Sequence, residues 1–215
     1  VRGITSFDLT VFGPATSVHS GHYGNVAPNP GARLAHLIAS VRADDGAITI
    51  RGFDRAADPI SREVREVSRA AYDEAQMLQG PQLPATESGL AYGESLLRPS
   101  LNVTQLSYGG AGQARNAIDP EATAHFDIRL TPGVSLEEVR ELITAHVRGQ
   151  GYHLVDAAPT REERLAHPRL ARIVWAEEGY PAAQAPLDLA GVRPVIAVMR
   201  GATGRQVRGA PLFGG

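Results

Sequence analysis

The sequence predicts an α+β fold, an antiparallel sheet with helices on one face. Three observations lead there. Residues 122–130 alternate without a break: Ala122, Ala124, Phe126, Ile128 and Leu130 point one way, and Thr123, His125, Asp127 and Arg129 the other. Two segments carry apolar residues at helical spacing instead, Leu34, Leu37, Ile38 and Val41 in one and Leu136, Val139, Ile143 and Val147 in the other. The order over 7–155 is strand, helix, strand, excursion, strand, strand, helix, strand, which suits a ferredoxin-like or split βαβ arrangement.

The first strand spans 7–13, where Phe7, Leu9 and Val11 alternate with Asp8 and Thr10. A polar turn follows, Val18-His19-Ser20-Gly21-His22-Tyr23-Gly24-Asn25, whose glycines allow a tight bend and a close approach to a partner. Asn29 can cap the next helix and Pro30 can take its first position. Asp44-Asp45-Gly46 turns that helix into a short strand, Ile48-Thr49-Ile50. Residues 52–99 form an irregular excursion, with a helix starting at Ser61 on which Val64, Val67 and Ala71 share a face. Excursions of that length are more often functional or interface-forming than idle.

A strand resumes at Ser100, with Leu101, Val103 and Gln105 on one side. Gly109-Gly110-Ala111-Gly112 is a flexible turn before the clear strand at 122–130, which Pro132-Gly133 ends. Ser135 and Glu138 fit a capping box for the second stripe-bearing helix. Tyr152 to Val155 reads as a last short strand. Beyond it, 164–178 is predicted as a helix carrying Leu165, Leu170, Ile173 and Val174. The dense apolar run 195–199 is predicted as a strand buried on both faces, part of an α/β segment whose other strands are not evident.

The composition fits an ordinary globular protein, with 43% apolar and 20% charged residues. A net charge of −2 argues against a nucleic-acid binder. There is no cysteine, hence no disulfide or thiolate metal site. No apolar run approaches a membrane span and no signal segment opens the chain, so the expected location is cytoplasmic. The start at Val1 and the stop at Phe213-Gly214-Gly215 suggest a piece of a longer protein.

A dinuclear metal hydrolase needs converging carboxylates and histidines plus a general base. No His-x-Asp strand and no Glu-Glu pair in a Gly-rich turn is present, and Glu162-Glu163 and Glu177-Glu178 read as solvated helix charges. His19 and His22 could share a metal, but two ligands without nearby acids make a weak site. No nucleotide-binding glycine loop or Gly-x-Ser-x-Gly elbow occurs. What remains is a recognition set. Arg129 could grip a carboxylate with paired hydrogen bonds, or form a salt bridge with Asp127 or Asp8. Asn116 could add a donor and an acceptor, or be a turn residue.

Three features in fixed order carry a family resemblance: the opening Arg2-Gly3 strand running into His19-Ser20-Gly21 and Asn29-Pro30, then Asn116-x-Ile118-x-Pro120, then Arg129 followed by Pro132-Gly133. Together they resemble the lid, or dimerisation, domain of the zinc aminoacylase/carnosinase/acetylornithine deacetylase-type metallopeptidases. Gly52-Phe53-Asp54 and the excursion after it are similar to the carnosinase-like dipeptidase branch. The resemblance implies a lid domain over 1–156 and the truncated start of a resumed catalytic domain over 157–215. By the same resemblance His19 stabilises the oxyanion from across a homodimer, and Asn116 and Arg129 hold the substrate. It further implies two zinc ions in the complete parent enzyme and none bound by this chain. The expected function is therefore part of a dinuclear-zinc hydrolase that cleaves an amide in a dipeptide or N-acyl amino acid. The alternative is a stand-alone dimerisation or ligand-binding module without chemistry. No nucleic-acid or membrane partner is expected.

Overall fold

A computed structural model of the chain describes residues 1–53, 60–110, 114–184 and 192–204. Its centre is β1, Gly3–Phe12, which pairs antiparallel with β5, Glu121–Leu130, on one side. In that register Phe7 faces Phe126, and the two rings stack 4.7 Å apart and 4° from parallel. β3, Ser100–Tyr108, adds an antiparallel edge beyond β5, with a register shift between Val103 and Gln105. On the other side lies β7, Leu170–Trp175, antiparallel to β1, and then β6, His153–Leu154, parallel to β7. The sheet order is thus β3-β5-β1-β7-β6.

Two helices cover one face. α2, Pro30–Val41, starts where expected: the Asn29 side chain accepts from the Ala32 N–H, and Pro30 sits at the first turn. It buries Leu34, Leu37 and Val41. α6, Leu136–Gly149, is capped by Ser135 and buries Val139, Ile143 and Val147. These stripes meet Phe7, Leu9, Val11, Ala124, Phe126, Ile128 and Leu130 in one core. The opposite residues of β1 and β5 give a polar face, where Asp8 meets His125 and the Thr10 and Thr123 hydroxyls lie 2.9 Å apart.

The excursion holds α3, Arg62–Ala71, α4, Glu74–Gln79, and α5, Tyr92–Ser95. Glu94 of α5 is buried, and its carboxylate accepts two hydrogen bonds from Arg69 of α3, at 2.6 and 2.9 Å. A Cβ at Gly93 would lie 2.0 Å from the Ser68 carbonyl oxygen, so the two backbones touch there and only glycine fits. Phe53 reaches the main core and is fully buried, whereas Asp54 of the quoted motif lies outside the described residues. So do Ala111-Gly112 and Phe213-Gly214-Gly215.

Three predicted elements differ. The helix expected over 164–178 is instead α7, Arg161–Ala166, followed by strand β7. Pro168 is the reason: it disfavours helical geometry at the residue before it, and His167 is extended at φ −124° and ψ 116°. The sheet therefore takes in β7, which lies after residue 156. The strand expected at 195–199 lies within helix α8, Val192–Thr203. A short apolar run has no period that separates strand from helix. Val195, Val198 and Met199 are exposed on it. The strand expected at Ile48-Thr49-Ile50 reduces to a single bridge between Ile48 and Arg42.

The chain's first and last sheet segments run together. Ile4 bridges Tyr180, and the Ala183 N–H donates to the Val1 carbonyl at 2.9 Å. A Cβ at Gly3 would sit 2.5–2.7 Å from the backbone of Tyr180–Ala182, so that glycine permits the contact.

Candidate functional site

His19 stands at the end of β2, Val18–His19, which pairs with β4, Ala117–Ile118. This two-stranded ribbon lies beyond the end of β1, where the Gly13 N–H meets the Pro120 carbonyl at 2.7 Å. His19 then caps the short α1, Ser20–Tyr23: its Nδ1 accepts from the Gly21 N–H at 3.0 Å. An Nδ1 that accepts carries no proton, so the neutral imidazole holds its hydrogen on Nε2. The ring is exposed and becomes an N–H donor with a fixed tautomer. Gly21 is required for this by sterics, because a Cβ there would lie 2.9 Å from His19 Cε1.

Asn116 is brought to the same place. Its carbonyl accepts from the Ser20 N–H at 2.9 Å, next to the His19 backbone. The Asn116 side chain is exposed and has no hydrogen-bond partner among the described residues. An ion pair between Arg115 and Asp119, at 2.9 Å, braces the turn that carries it. His22 also lies near, its ring 5.1 Å from that of His19.

Arg129 is not part of this corner. It lies opposite Ile4 and Ser100, at the other end of β5. The eight residue steps from Glu121 to Arg129 span about 27 Å at ~3.4 Å per residue. There Arg129 Nε donates to Asp127 Oδ2 at 3.0 Å, the salt bridge that the sequence offered as one of its readings. Behind it sits Arg2, only 7% exposed, donating to the Arg98 carbonyl at 2.8 Å and to Ser100 Oγ at 3.0 Å. Burial, with the Arg129 charge second, lowers the Arg2 pKa to about 10. Sequence reading missed Arg2 as a side chain of this end. Its signal was weak, one arginine before a strand.

No three His, Asp or Glu side chains gather to hold a metal among the described residues. His19 and His22 do not fit one either, since His19 Nδ1 is taken by Gly21 and no third ligand stands by. His125 is bound to Asp8 at 2.6 Å in the middle of the polar face. The arrangement thus offers an exposed N–H donor at one end of the sheet and two arginines bonded within the fold at the other.

Comparison with known proteins adds the following. The model of the family described as peptidase dimerisation domain matches residues 1–154. The cysteinylglycine-S-conjugate dipeptidase of Corynebacterium striatum is 30% identical over 145 residues, 66% of this chain and 30% of that protein. A Cys-Gly metallodipeptidase of Schizosaccharomyces pombe is 25% identical over 153 residues, 68% of this chain and 32% of that protein. The chain thus spans about a third of the length of these curated relatives. Among solved structures, an M20 family metallo-carboxypeptidase from Sulfolobus solfataricus shares the fold with a TM-score of 0.76 at 20% identity, over 99% of this chain and 45% of that one. Human carnosine dipeptidase 1 gives 0.72 at 18% identity, over 99% and 44%.

Proposed function

The chain belongs to the peptidase dimerisation domain family, and from that premise we propose that it is the lid of a dinuclear-zinc dipeptidase or N-acyl amino acid hydrolase acting as a homodimer. The single observation that carries this reading is the hydrogen bond from the Gly21 N–H to His19 Nδ1, which leaves Nε2 as the exposed donor. A neutral imidazole with its proton on Nε2 donates to a carbonyl oxygen, and does so more strongly as that oxygen gains charge in a tetrahedral intermediate. Asn116 stands beside it with a free amide for a second polar contact on the substrate. Two zinc ions, when bound in the complete protein, would polarise the amide and activate the attacking water, and on this reading their ligands would come from the rest of the parent protein.

The separation of Arg129 supports the dimer. A dipeptide spans about 7 Å when extended. One chain cannot put His19 and Arg129 on the same dipeptide across about 27 Å of strand. Two copies can, with His19 and Asn116 from one subunit and Arg129 on the substrate carboxylate from the other. The surface that suits such pairing is the outer edge of β3, which among the described residues pairs with no strand other than β5 and leaves Leu106 and Tyr108 64% and 44% exposed.

The purified 215-residue chain, given zinc and a panel of dipeptides, should show no turnover, and robust hydrolysis would sink the reading. In the complete parent protein His19→Ala should remove most of kcat; an unchanged rate would take His19 out of the mechanism. Sedimentation of Leu106→Glu should give monomers where the parent gives dimers.

A further inference from the structure

Away from both ends of the lid site, a cavity of about 310 Å³ opens on the helix-covered side, lined by Arg33, His36, Leu37, Gln150, Tyr152 and Arg169. We propose that it is a binding site for a phosphate group, held between the Arg33 and Arg169 guanidiniums.

The side chains here converge from three separate elements. Arg33 and His36 come from α2, Gln150 follows the last turn of α6, and Arg169 precedes β7. Each guanidinium is oriented by one bond to a backbone carbonyl: Arg33 to Pro168 at 2.6 Å and Arg169 to Gln150 at 2.9 Å. Of the five N–H donors that an arginine carries, the others have no acceptor among the described residues. No carboxylate among the described residues lines the cavity. Tyr152 forms its floor, 6% exposed, its ring under the Arg169 guanidinium at 5.9 Å. Burial pushes the Tyr152 phenol up, and the charges of Arg33 and Arg169 pull it back, so both cations act at one point.

The competing account is that Arg169 only neutralises the end of α6. A helix C-terminus carries about half a negative charge, and it is screened once its carbonyls are bonded. The Gln150 N–H, Gly151 N–H and Arg169 already satisfy that end, and two full positive charges remain against it. A carboxylate has two oxygens for this donor set. A phosphate has three or four, which is why the proposal names phosphate.

Inorganic phosphate is titrated against the 215-residue chain at constant ionic strength, followed by melting temperature and by chemical shifts of residues 33–37 and 150–152. Acetate is the control, and glycerol 3-phosphate is the arm that separates a monoester from the free ion. The expected result is a saturable response to phosphate or its monoester, absent with acetate, and weakened about 10-fold or more by Arg169→Gln. His36→Ala tests the same cavity should Arg169→Gln fail to fold, since His36 is exposed and its loss should weaken phosphate without altering the melt in its absence. The proposal is overturned by a response that never saturates, by acetate acting equally, or by folded variants with the affinity of the parent.

Discussion

The two ends of β5 are built on different principles. At the Glu121 end, His19 and Asn116 sit exposed on a two-stranded ribbon held by backbone hydrogen bonds. At the Leu130 end, Arg129 and Arg2 are embedded in side-chain contacts with Asp127, Ser100 and the Arg98 carbonyl. The contrast teaches where function and stability can be separated. An exposed side chain bonded only within its own turn, or not at all, can be removed with little cost to the fold. One that is half-buried and bonded to neighbours cannot.

The sharpest way to break this comparison is at the exposed end. In the complete parent protein, His19→Ala should lower kcat by about 10²–10³, the scale of one lost oxyanion donor, while the melting temperature falls only slightly, through the lost cap of the four-residue α1. A large thermal loss would show that the ribbon end is structural after all. At the other end, Arg129→Ala should reduce kcat/KM by about 10–100-fold, mainly through KM, and should also lower the melting temperature because Asp127 loses its partner. Steady-state kinetics and a melt on the same sample decide it. A variant with normal stability would erase the difference between the ends.

Gly21→Ala probes the exposed end without touching its chemical groups. The added methyl meets the His19 ring, which must move, and a displacement of that kind costs up to about 10²-fold in rate. Rates equal to those of the parent would show that the ring position is not held by Gly21. The smallest effect concerns pH. His146, bonded to Ser40 on the helix side, has its pKa lowered by burial. The folded state therefore resists protonation that the unfolded chain accepts. Stability from this residue is present above the ordinary value of 6.5 and falls as pH drops below it. His146→Gln should flatten that part of the stability profile in denaturant melts, and a slope unchanged by the substitution would discount it.

Much of the fold could be read before the structure. Asn29-Pro30 and Ser135 marked their helices because capping is local chemistry, and 122–130 marked β5 because one of its faces is buried and the other polar. β7 escaped detection because a strand inserted between two others loses its clean alternation, and its partner β1 lies some 160 residues earlier in the chain. Helix α8 escaped because five apolar residues do not declare a period. For the site, the grouping of His19 with Asn116 was implied by order alone, and the structure joins them through β2 and β4. That Arg129 stands apart could be anticipated in one respect. A continuous strand runs between it and Asn116, and strands keep their ends separated.

The pairing of residues 1–4 with 180–183 gives the lid a mechanical character. There residues 1–4 and 180–183 run side by side as a short ribbon on the sheet, tied by the bonds of Ile4 with Tyr180 and of Val1 with Ala183. Such a ribbon resists stretching and bending within its own plane, where hydrogen bonds would have to break. It yields most easily to bending across its flat face. A load carried along residues 1–4 and 180–183 would therefore enter the sheet at the Arg129 end of β5, with His19 and Asn116 at the opposite end.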